Sequence, residues 1–341
     1  MPTKDDLKYF QSMPLDIKVA MTKTRIREWV NHFGESGVYI SFSGGKDSTV
    51  LLHLVRELYP DIPAVFVNTG LEYPEIQKFV KEFENIEILR PEMSFKEVIR
   101  RYGYPFLGKD ISKKIEASRR GQEWALKFIN GTAKDKNGNP SQFCIEHYKP
   151  LISADFIISP KCCDVMKKAP IHKYEKETGR VAFVGTLAEE SRMRESQWML
   201  YSCNSFETKP PKSQPMSFWT ENDVLQYIVE KNLKIAEPYG EVIKAVKGNQ
   251  LSFDEDCGYI CSKLKRTGCI FCGFGAHLDE YSRFLLLKET HPKQYKFCIG
   301  GGEYDSDGLW KPNKDGLGMG HVIDVLNQLY SKNGKPFIQY E

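Results

Sequence analysis

The stretch Ser-Gly-Gly-Lys-Asp-Ser, residues 43–48, interrupts an apolar run with two glycines, a lysine, an acid and two hydroxyls. The apolar residues before it have the pattern of a buried strand, and those after it have helical spacing. A glycine-rich turn at the start of a helix presents backbone N–H groups at the positive end of the helix dipole. The sequence therefore predicts an anion site here, and phosphate is the usual occupant of such a site.

The spacing excludes a Walker A loop, which requires a glycine, four residues and then Gly-Lys-Ser/Thr. Counting back from Gly45 places Ile40 at the first glycine position, and Asp47 follows the lysine. The six residues resemble the PP-loop signature of enzymes that hold the pyrophosphate of ATP or the phosphosulfate of a sulfonucleotide. The sequence thus predicts a nucleotide site of this second kind.

Each residue type in the loop has an expected role. Lys46 supplies positive charge, and Asp47 orders the loop or helps to bind a metal ion such as Mg²⁺, so both are candidate catalytic residues. The remaining residues are expected to bind the phosphates through backbone N–H groups and hydroxyls, and they are Ser43, Gly44, Gly45 and Ser48.

Strand and helix patterns alternate on both sides of this loop. The alternation runs through residues 37–102 and returns with RVAFVGT at 180–186. A later helix is predicted to begin at Thr220, with Asp223 three residues on as in a capping box. Alternation at this pitch predicts an α/β fold with a doubly wound parallel sheet. Such sheets bind ligands beyond the carboxyl ends of their strands, which places the nucleotide near 43–48 and 68–72.

The pattern also predicts two domains. Residues 1–235 are expected to form the nucleotide-binding domain, with a helical and loop insertion at about 104–150. After residue 236 cysteines and glycines become frequent, and residues 236–341 are expected to form a cysteine-rich C-terminal extension packed on the first domain.

The composition is that of a globular protein, with 41% hydrophobic and 27% charged residues in 341. No apolar run approaches the roughly 18 residues of a membrane span, and MPTKDDLKYF is not a signal peptide. We therefore expect a cytoplasmic protein without a membrane partner, in which the nine cysteines do not form a disulfide framework. A formal charge of +3 leaves a nucleic-acid partner open.

Several further segments resemble the phosphoadenosine phosphosulfate (PAPS) reductase family. VNTGLEYPE at 67–75 is similar to the family's Asp-Thr-Gly segment, with Asn68 where Asp is common and with Thr69 and Gly70 retained. PMSFWTENDVLQYI is similar to the segment that closes the nucleotide domain. The resemblance implies the adenine nucleotide alpha-hydrolase-like fold and places the 68–70 segment at the adenosine.

Two other segments resemble family segments that face the reacting end of the nucleotide. KCCDVMKKAP at 161–170 is similar to the family's Cys-Cys segment, in which a following lysine, here Lys167, faces the nucleotide. GTLAEESRMR at 185–194 matches a family segment, although Leu187 stands where an arginine is expected. The resemblance implies that Lys167 and Arg194 steady charge at the sulfate or leaving group. The other matched positions are expected to bind the nucleotide, and they are Gly185, Glu190 and Ser191.

The cysteines allow two ligand sets for a metal centre. The resemblance to adenylyl-sulfate reductases implies a [4Fe–4S] cluster beside the nucleotide, held by Cys162, Cys163, Cys269 and Cys272. A local arrangement of Cys257, Cys261, Cys269 and Cys272 is the alternative, binding zinc or a cluster.

The reaction is less constrained than the nucleotide site. Family reductases attack the sulfonucleotide with a cysteine near the C-terminus, and here no cysteine follows Cys298. We expect a sulfonucleotide reductase-like enzyme acting on adenylyl sulfate (APS) or PAPS, with a thiol reductant supplied in trans. An ATP-dependent sulfurtransferase that modifies a nucleic acid with sulfur from a donor protein is the alternative, and a non-catalytic nucleotide-binding module is the third hypothesis.

Basic clusters at 109–120 and 161–180 have two interpretations. They are solvated helix faces, or they form a rim for a polyanion. The second interpretation rests on the aromatic residues that interleave with the lysines and arginines, which are Tyr102, Tyr104, Trp124 and Tyr174.

Overall fold

The structure is a computed structural model that describes residues 2–245 and 258–341. The helices, in chain order, are α1 Lys4–Gln11, α2 Leu15–Phe33, α3 Lys46–Leu58, α4 Pro74–Val80, α5 Phe95–Tyr102, α6 Lys109–Arg119, α7 Glu123–Ile129, α8 Ala169–Thr178, α9 Arg192–Tyr201, α10 Glu221–Glu230, α11 Arg283–Thr290, α12 Pro292–Ile299 and α13 Met319–Tyr330. The strands are β1 Val38–Ser41, β2 Ala64–Val67, β3 Ile86–Leu89, β4 Phe106–Leu107, β5 Val181–Val184, β6 Asn204–Ser205, β7 Lys212–Ser213, β8 Val242–Lys244, β9 Tyr259–Cys261, β10 Gly273–Phe274, β11 Glu303–Tyr304 and β12 Trp310–Lys311.

Contacts divide the chain into two compact units, each assembled from three separate stretches. The first unit comprises residues 1–68, 72–90 and 170–268, and the second comprises 69–71, 91–169 and 269–341. These bounds differ from the expected domains at 1–235 and 236–341, which stay a prediction.

The first unit is built on a sheet with strand order β3-β2-β1-β5-β7-β6. All neighbouring pairs are parallel except β6 and β7. Its central strands have the apolar sequences VYIS, AVFV and VAFV, as expected where helices cover both faces of a sheet. The predicted doubly wound α/β fold is therefore confirmed.

Strand β1 lies between β2 and β5, so the strand order reverses beside it. In register, Ile40 pairs with Ala64 on one side and with Phe183 on the other. The loops after β1 and after β5 therefore leave the same edge of the sheet at the point where ligands bind in folds of this kind.

Helix boundaries in the first unit follow from local signals. Gly45 precedes α3, and Thr220 caps α10 by accepting a hydrogen bond from the Asp223 backbone N–H, while the Asp223 carboxylate accepts one from the Thr220 N–H. The same carboxylate accepts a hydrogen bond from the buried Lys18 Nζ at 2.6 Å, which fixes α10 to α2. The predicted cap at Thr220 is confirmed.

The second unit contains the predicted helical insertion, where α6 and α7 are followed by a turn-rich segment. It also contains a pairing that the sequence did not predict, since β4 within the insertion runs parallel to β10 directly after Cys272. Gly273 allows this close approach, because a Cβ atom there would lie 2.7 Å from the Pro105 carbonyl oxygen.

The described residues include no helix that is both long and apolar enough to cross a membrane.

Candidate functional site: the phosphate loop and the cysteine cluster

The loop between β1 and α3 needs a glycine at its first glycine position. Gly44 has a φ of +71°, and a Cβ atom there would lie 2.8 Å from Ile76 Cγ2 and 2.9 Å from Val80 Cγ2 on α4. A Cβ atom on Gly45 would lie 3.2 Å from the Tyr239 hydroxyl, a tight contact that a small shift of the hydroxyl would relieve. The backbone can therefore turn tightly here only while position 44 has no side chain.

The loop hydroxyls hold the turn in place. Ser48 Oγ accepts a hydrogen bond from the Ser43 backbone N–H at 3.2 Å and donates one to the Gly45 carbonyl at 2.9 Å. Ser43 Oγ lies 3.0 Å from Ser48 Oγ and accepts a hydrogen bond from the Gly45 N–H. The predicted loop residues are thus brought together, and the two serines order the turn from which phosphate would be bound.

Lys46 is almost fully buried and lies between two carboxylates. Its Nζ is 3.3 Å from Asp47 Oδ2 and 3.2 Å from Glu221 Oε1. Burial acts to lower the pKa of Lys46, but the negative charges of Asp47 and Glu221 outweigh it and raise the pKa above its usual value of 10.5. The loop lysine is therefore a cation, and its charge is balanced by groups that a bound anion could displace.

Glu221 is a site residue that the sequence analysis missed. Burial acts to raise its pKa, but hydrogen bonding from Lys265 and the charge of Lys46 outweigh burial and lower the pKa below 4.5. Its second oxygen lies 3.0 Å from Lys265 Nζ, so one carboxylate bridges two lysines. Its position directly after the cap Thr220 was visible in the sequence, but its approach to Lys46 depends on how α10 packs.

Tyr239, in the 170–268 stretch of the first unit, was also missed, and it helps to hold the loop. Its hydroxyl accepts a hydrogen bond from the Lys46 backbone N–H at 3.2 Å and lies 2.8 Å from Thr267 Oγ1. Lys46 Nζ is 5.9 Å from the centre of the Tyr239 ring. The segment before the CxxC motif therefore helps to fix the phosphate loop.

Three cations gather near the loop in the first unit. Burial and the charge of Arg266 lower the pKa of Arg194, while the nearby Asp47 carboxylate acts in the opposite direction. Burial and the charge of Arg194 likewise lower the pKa of Lys212. Among the described residues, Lys212 and Arg266 form no ion pair. Glu190 balances the charge of Arg194, and the two remaining positive charges favour the binding of an anion beside them.

The 185–194 segment supports this group of cations. A Cβ atom on Gly185 would lie 3.1 Å from the Asp47 carbonyl oxygen, so the loop after β5 packs directly on the start of α3. Glu190 forms an ion pair with Arg194, and Ser191 Oγ accepts a hydrogen bond from the Arg194 backbone N–H. Glu190 and Ser191 thus orient Arg194 and α9, and their expected contact with nucleotide stays a prediction.

The predicted adenosine segment is divided between the units. Asn68 belongs to the first unit, where its backbone N–H donates to the Leu89 carbonyl, and Thr69 and Gly70 belong to the second. Thr69 Oγ1 accepts a hydrogen bond from the Leu71 N–H at 3.1 Å. The Leu71 carbonyl in turn accepts one from the Ile270 N–H, within the CxxC motif.

The four cysteines implied by the family resemblance all lie in the second unit. Cys162 donates its S–H to Cys163, and this bond, burial and the charges of Cys163, Cys269 and Cys272 raise the pKa of Cys162. The same bond, with the charges of Lys109 and Lys167, lowers the pKa of Cys163 against the effect of burial. The cysteine pair is thus close enough to the CxxC motif for their charges to interact.

Arg283, another residue that the sequence analysis missed, orders the CxxC turn. Its guanidinium donates to the carbonyls of Cys272 at 3.1 Å and Phe274 at 3.0 Å, and it also binds the Asp279 carboxylate. Burial raises the pKa of Cys272. A short π-helix, Asp164–Lys168, directly follows Cys163 and carries Lys167.

Soft thiols next to lysines have the donor chemistry of an iron–sulfur or zinc site. Within residues 2–245 and 258–341, however, no group of three or more His, Cys, Asp or Glu side chains has the geometry to hold a metal ion. Cys261 of the alternative set belongs to the first unit, on β9, and Cys257 lies outside the described residues. The choice of ligands therefore stays a prediction.

The expectation of an aromatic, basic rim is partly wrong. Tyr104 is 1% exposed and Tyr174 is 5% exposed, so neither can stack on a ligand. Tyr174 instead packs against Tyr39 and Ala182 in the core of the first unit. Trp124 is 42% exposed and remains available.

A sequence profile of the phosphoadenosine phosphosulfate reductase domain matches residues 37–121 and 129–272, more than half of the chain. The chain belongs to the PAPS reductase family. Its fold is α/β with a mostly parallel central sheet, as described above.

Two reductases of the PAPS reductase family show distant similarity to the chain. The chain is 26% identical to the phosphoadenosine 5′-phosphosulfate reductase of Proteus mirabilis over 200 residues, which cover 57% of this chain and 62% of that protein. It is 34% identical to the Synechococcus enzyme of the same name over 124 residues, which cover 32% of this chain and 51% of that protein. The matched part is thus less than two thirds of the length of either relative.

Among solved structures, the PAPS reductase of Candida auris, in a phosphate complex, covers 70% of this chain and 91% of its own, with 14% identity and a TM-score of 0.38. The FMN adenylyltransferase of Candida glabrata covers 68% of this chain and 64% of its own, with 12% identity and a TM-score of 0.35.

Proposed function

We propose that the protein is an enzyme that binds an adenylyl nucleotide on the 43–48 loop and carries out sulfur chemistry on it. The observation that carries the proposal is the concentration of positive charge near the loop. Arg194, Lys212 and Arg266 lie in one unit with the loop, and burial together with a neighbouring positive charge lowers the pKa values of the first two. A ligand with several negative charges would relieve this repulsion.

The first candidate substrate is a sulfonucleotide, APS or PAPS. Lys46 and Arg194 would neutralise the phosphate oxygens, and Lys167 would steady the charge at the sulfate or the leaving group. Because Cys298 is fully buried on α12, it is unsuited to act as the attacking thiol, so the reductant would come from a separate thiol protein. Under this hypothesis the enzyme is a sulfonucleotide reductase.

The second candidate substrate is ATP, and the two carboxylates at Lys46 favour it. Asp47 and Glu221 lie 3.3 Å and 3.2 Å from Lys46 Nζ, where they would repel a sulfonucleotide that binds without a metal. Carboxylates beside phosphates are the usual ligands of Mg²⁺. An ATP-dependent sulfurtransferase that modifies a nucleic acid would use them to hold the Mg²⁺ of MgATP.

We further propose that Cys162, Cys163, Cys269 and Cys272 hold a [4Fe–4S] cluster, with zinc as the alternative. Their common position in the second unit and their mutual electrostatic interactions support this set. Such a cluster would tune the local charge or pass sulfur. Lys109 and Lys167, whose charges lower the pKa of Cys163, would stabilise the thiolate ligands.

Calorimetry with APS, PAPS and ATP, each with and without Mg²⁺, tests the substrate. Tighter binding of APS or PAPS without Mg²⁺ would support the reductase, whereas Mg²⁺-dependent ATP binding with release of pyrophosphate would support the sulfurtransferase. If none of the three binds, both candidates are wrong.

The loop itself is tested with Lys46→Met. Loss of a charged hydrogen-bond donor is expected to weaken nucleotide binding roughly 10- to 100-fold. Lys23→Met, which removes a surface lysine paired with Glu57 in the same unit, is the matched control and should bind as the wild type does.

A further inference from the structure

A cavity of about 420 Å³ in the second unit lies away from the predicted nucleotide loop in sequence and has a distinct lining. Its wall combines α6, the start of α7 and the 160–168 segment around Cys163. The volume falls within the range of small-molecule sites, about 300–1,000 Å³. Gln122 and Trp124 lie between the two segments that match the family profile, so part of this wall lies outside the matched residues.

The wall carries an excess of positive charge that its own acids do not cancel. Each acidic side chain in the wall is already paired with a cation four positions along the chain, and the pairs are Asp110–Lys114, Glu116–Arg120 and Asp164–Lys168, at 2.5 Å, 2.6 Å and 2.8 Å. Lys113 and Lys161 form no ion pair with any described residue. The cavity therefore presents net positive charge to a ligand.

Trp124 adds a half-exposed aromatic face to this basic wall. Its indole N–H donates to the Gln122 side-chain oxygen at 2.9 Å, which fixes the orientation of the ring. Lys113 Nζ lies 5.7 Å from the ring centre. A flat apolar surface beside unpaired lysines matches a ligand that joins a planar ring to an anionic group.

We propose that this cavity binds a nucleoside phosphate unit, with its base stacked on Trp124 and its phosphate on Lys113 and Lys161. This nucleoside phosphate belongs either to a free nucleotide or to a single-stranded nucleic acid that binds across the cavity. The chemistry of recognition is the same for both sources. The cavity shares no residue with the 43–48 loop, and the proposal does not depend on which nucleotide that loop accepts.

Binding of fluorescein-labelled (dT)10 and of free dTMP to the full-length protein tests the proposal, with fluorescence anisotropy for the first and isothermal titration calorimetry for the second. Binding of (dT)10 alone identifies the strand as the source, and dTMP binding with a similar dependence on Trp124 identifies the free nucleotide. If neither binds at low salt, the proposal is wrong.

Substitutions locate the site. Trp124→Ala should weaken binding roughly 5- to 100-fold, since stacking contributes about 1–3 kcal/mol per base, and Trp124→Phe should retain most of the affinity. Lys113→Ala should reduce the slope of log K against log salt by about 0.7 if it neutralises one phosphate of the strand. Equal weakening by Trp124→Ala and Trp124→Phe would overturn the stacking assignment.

Two controls keep the outcome specific. Lys127→Ala removes a lysine on α7 that is paired with Glu123 and lies outside the cavity, so it should leave both the affinity and the salt slope unchanged. Lys46→Met should retain (dT)10 binding even where it abolishes binding at the phosphate loop. If Lys127→Ala weakens binding as much as Lys113→Ala, only diffuse charge is involved and the proposal fails.

Discussion

The phosphate loop and the cysteine cluster are assembled by different routes. The six loop residues are consecutive, and most of their hydrogen bonds join members of the same turn. The cysteines lie in two segments, at 162–163 and 269–272, that are separated in the chain by the 170–268 stretch of the other unit. The geometry of the loop is therefore encoded locally, whereas the cysteines come together only when the second unit is folded.

Because the loop is shaped by close local packing, we expect the addition of one methyl group to it to have the largest effect on stability and nucleotide binding. In Gly44→Ala, the new Cβ atom would clash with Ile76 and Val80 at a φ of +71°. We expect the free energy of unfolding to fall by roughly 2–5 kcal/mol and nucleotide binding to be lost, as measured by denaturant unfolding and calorimetry.

Gly34→Ala is the matched control, because Gly34 also has a positive φ, +75°, but its Cβ atom would meet nothing within 4 Å. It should cost about 1–3 kcal/mol through backbone strain alone and leave nucleotide binding intact. Equal nucleotide affinity in the two variants would show that close packing against α4 does not shape the loop.

The metal content of the protein tests whether the four cysteines hold a cluster. Cys162→Ser should reduce iron in the anaerobically reconstituted protein from about four atoms per chain to fewer than one, because a [4Fe–4S] cluster needs four thiolates. Cys203→Ser replaces an equally buried thiol of the first unit and should retain the iron. Zinc in place of iron, at about one atom per chain, would identify the alternative centre.

The smallest expected effect concerns the pH dependence of the Lys46–Glu221 pair. The pKa of Glu221 is lowered in the folded protein, so its charged form stabilises the fold above pH 4.5 and this contribution is lost as the pH falls through the lower folded value. Glu221→Gln should therefore reduce the free energy of unfolding by less than about 1 kcal/mol at pH 7, because the Glu221 carboxylate is partly exposed to solvent and Asp47 still pairs with Lys46.

In urea unfolding, the difference between Glu221→Gln and the wild type should shrink as the pH is lowered below 4.5. A difference that stays constant from pH 7 to pH 3 would mean that packing, and not charge, accounts for it.

Sequence reasoning succeeded where the signal is local. The glycines and serines of the loop, the strand VYIS and the capping box at Thr220 each occupy a few consecutive residues, and the structure has them as expected. The family segments placed Gly185 and Arg194 in the same unit as the loop for a related reason, since the segment follows a strand that pairs with β1.

The missed residues act through tertiary contacts. Tyr239 reaches the Lys46 N–H across 193 positions of sequence, and Glu221 approaches Lys46 only because α10 packs beside α3. The pairing of β4 with β10 involves two residues in each strand, too few to produce a periodic pattern. Tyr104 and Tyr174 looked like exposed aromatics beside lysines, but burial is decided by packing that spacing alone does not reveal.

The interleaving of the two units has a consequence for synthesis on the ribosome. The first unit ends at residue 268, so β5, β6 and β7 join its sheet only after residues 91–169 of the second unit have been made, and β4 pairs with β10 only after the 269–341 stretch is made. At about 5–20 residues per second, the phosphate loop would precede Tyr239 by roughly 10–40 s. Any single truncation also cuts through at least one unit, so neither half of the chain is expected to refold alone, and nascent-chain intermediates should depend on chaperones until the last stretch is released.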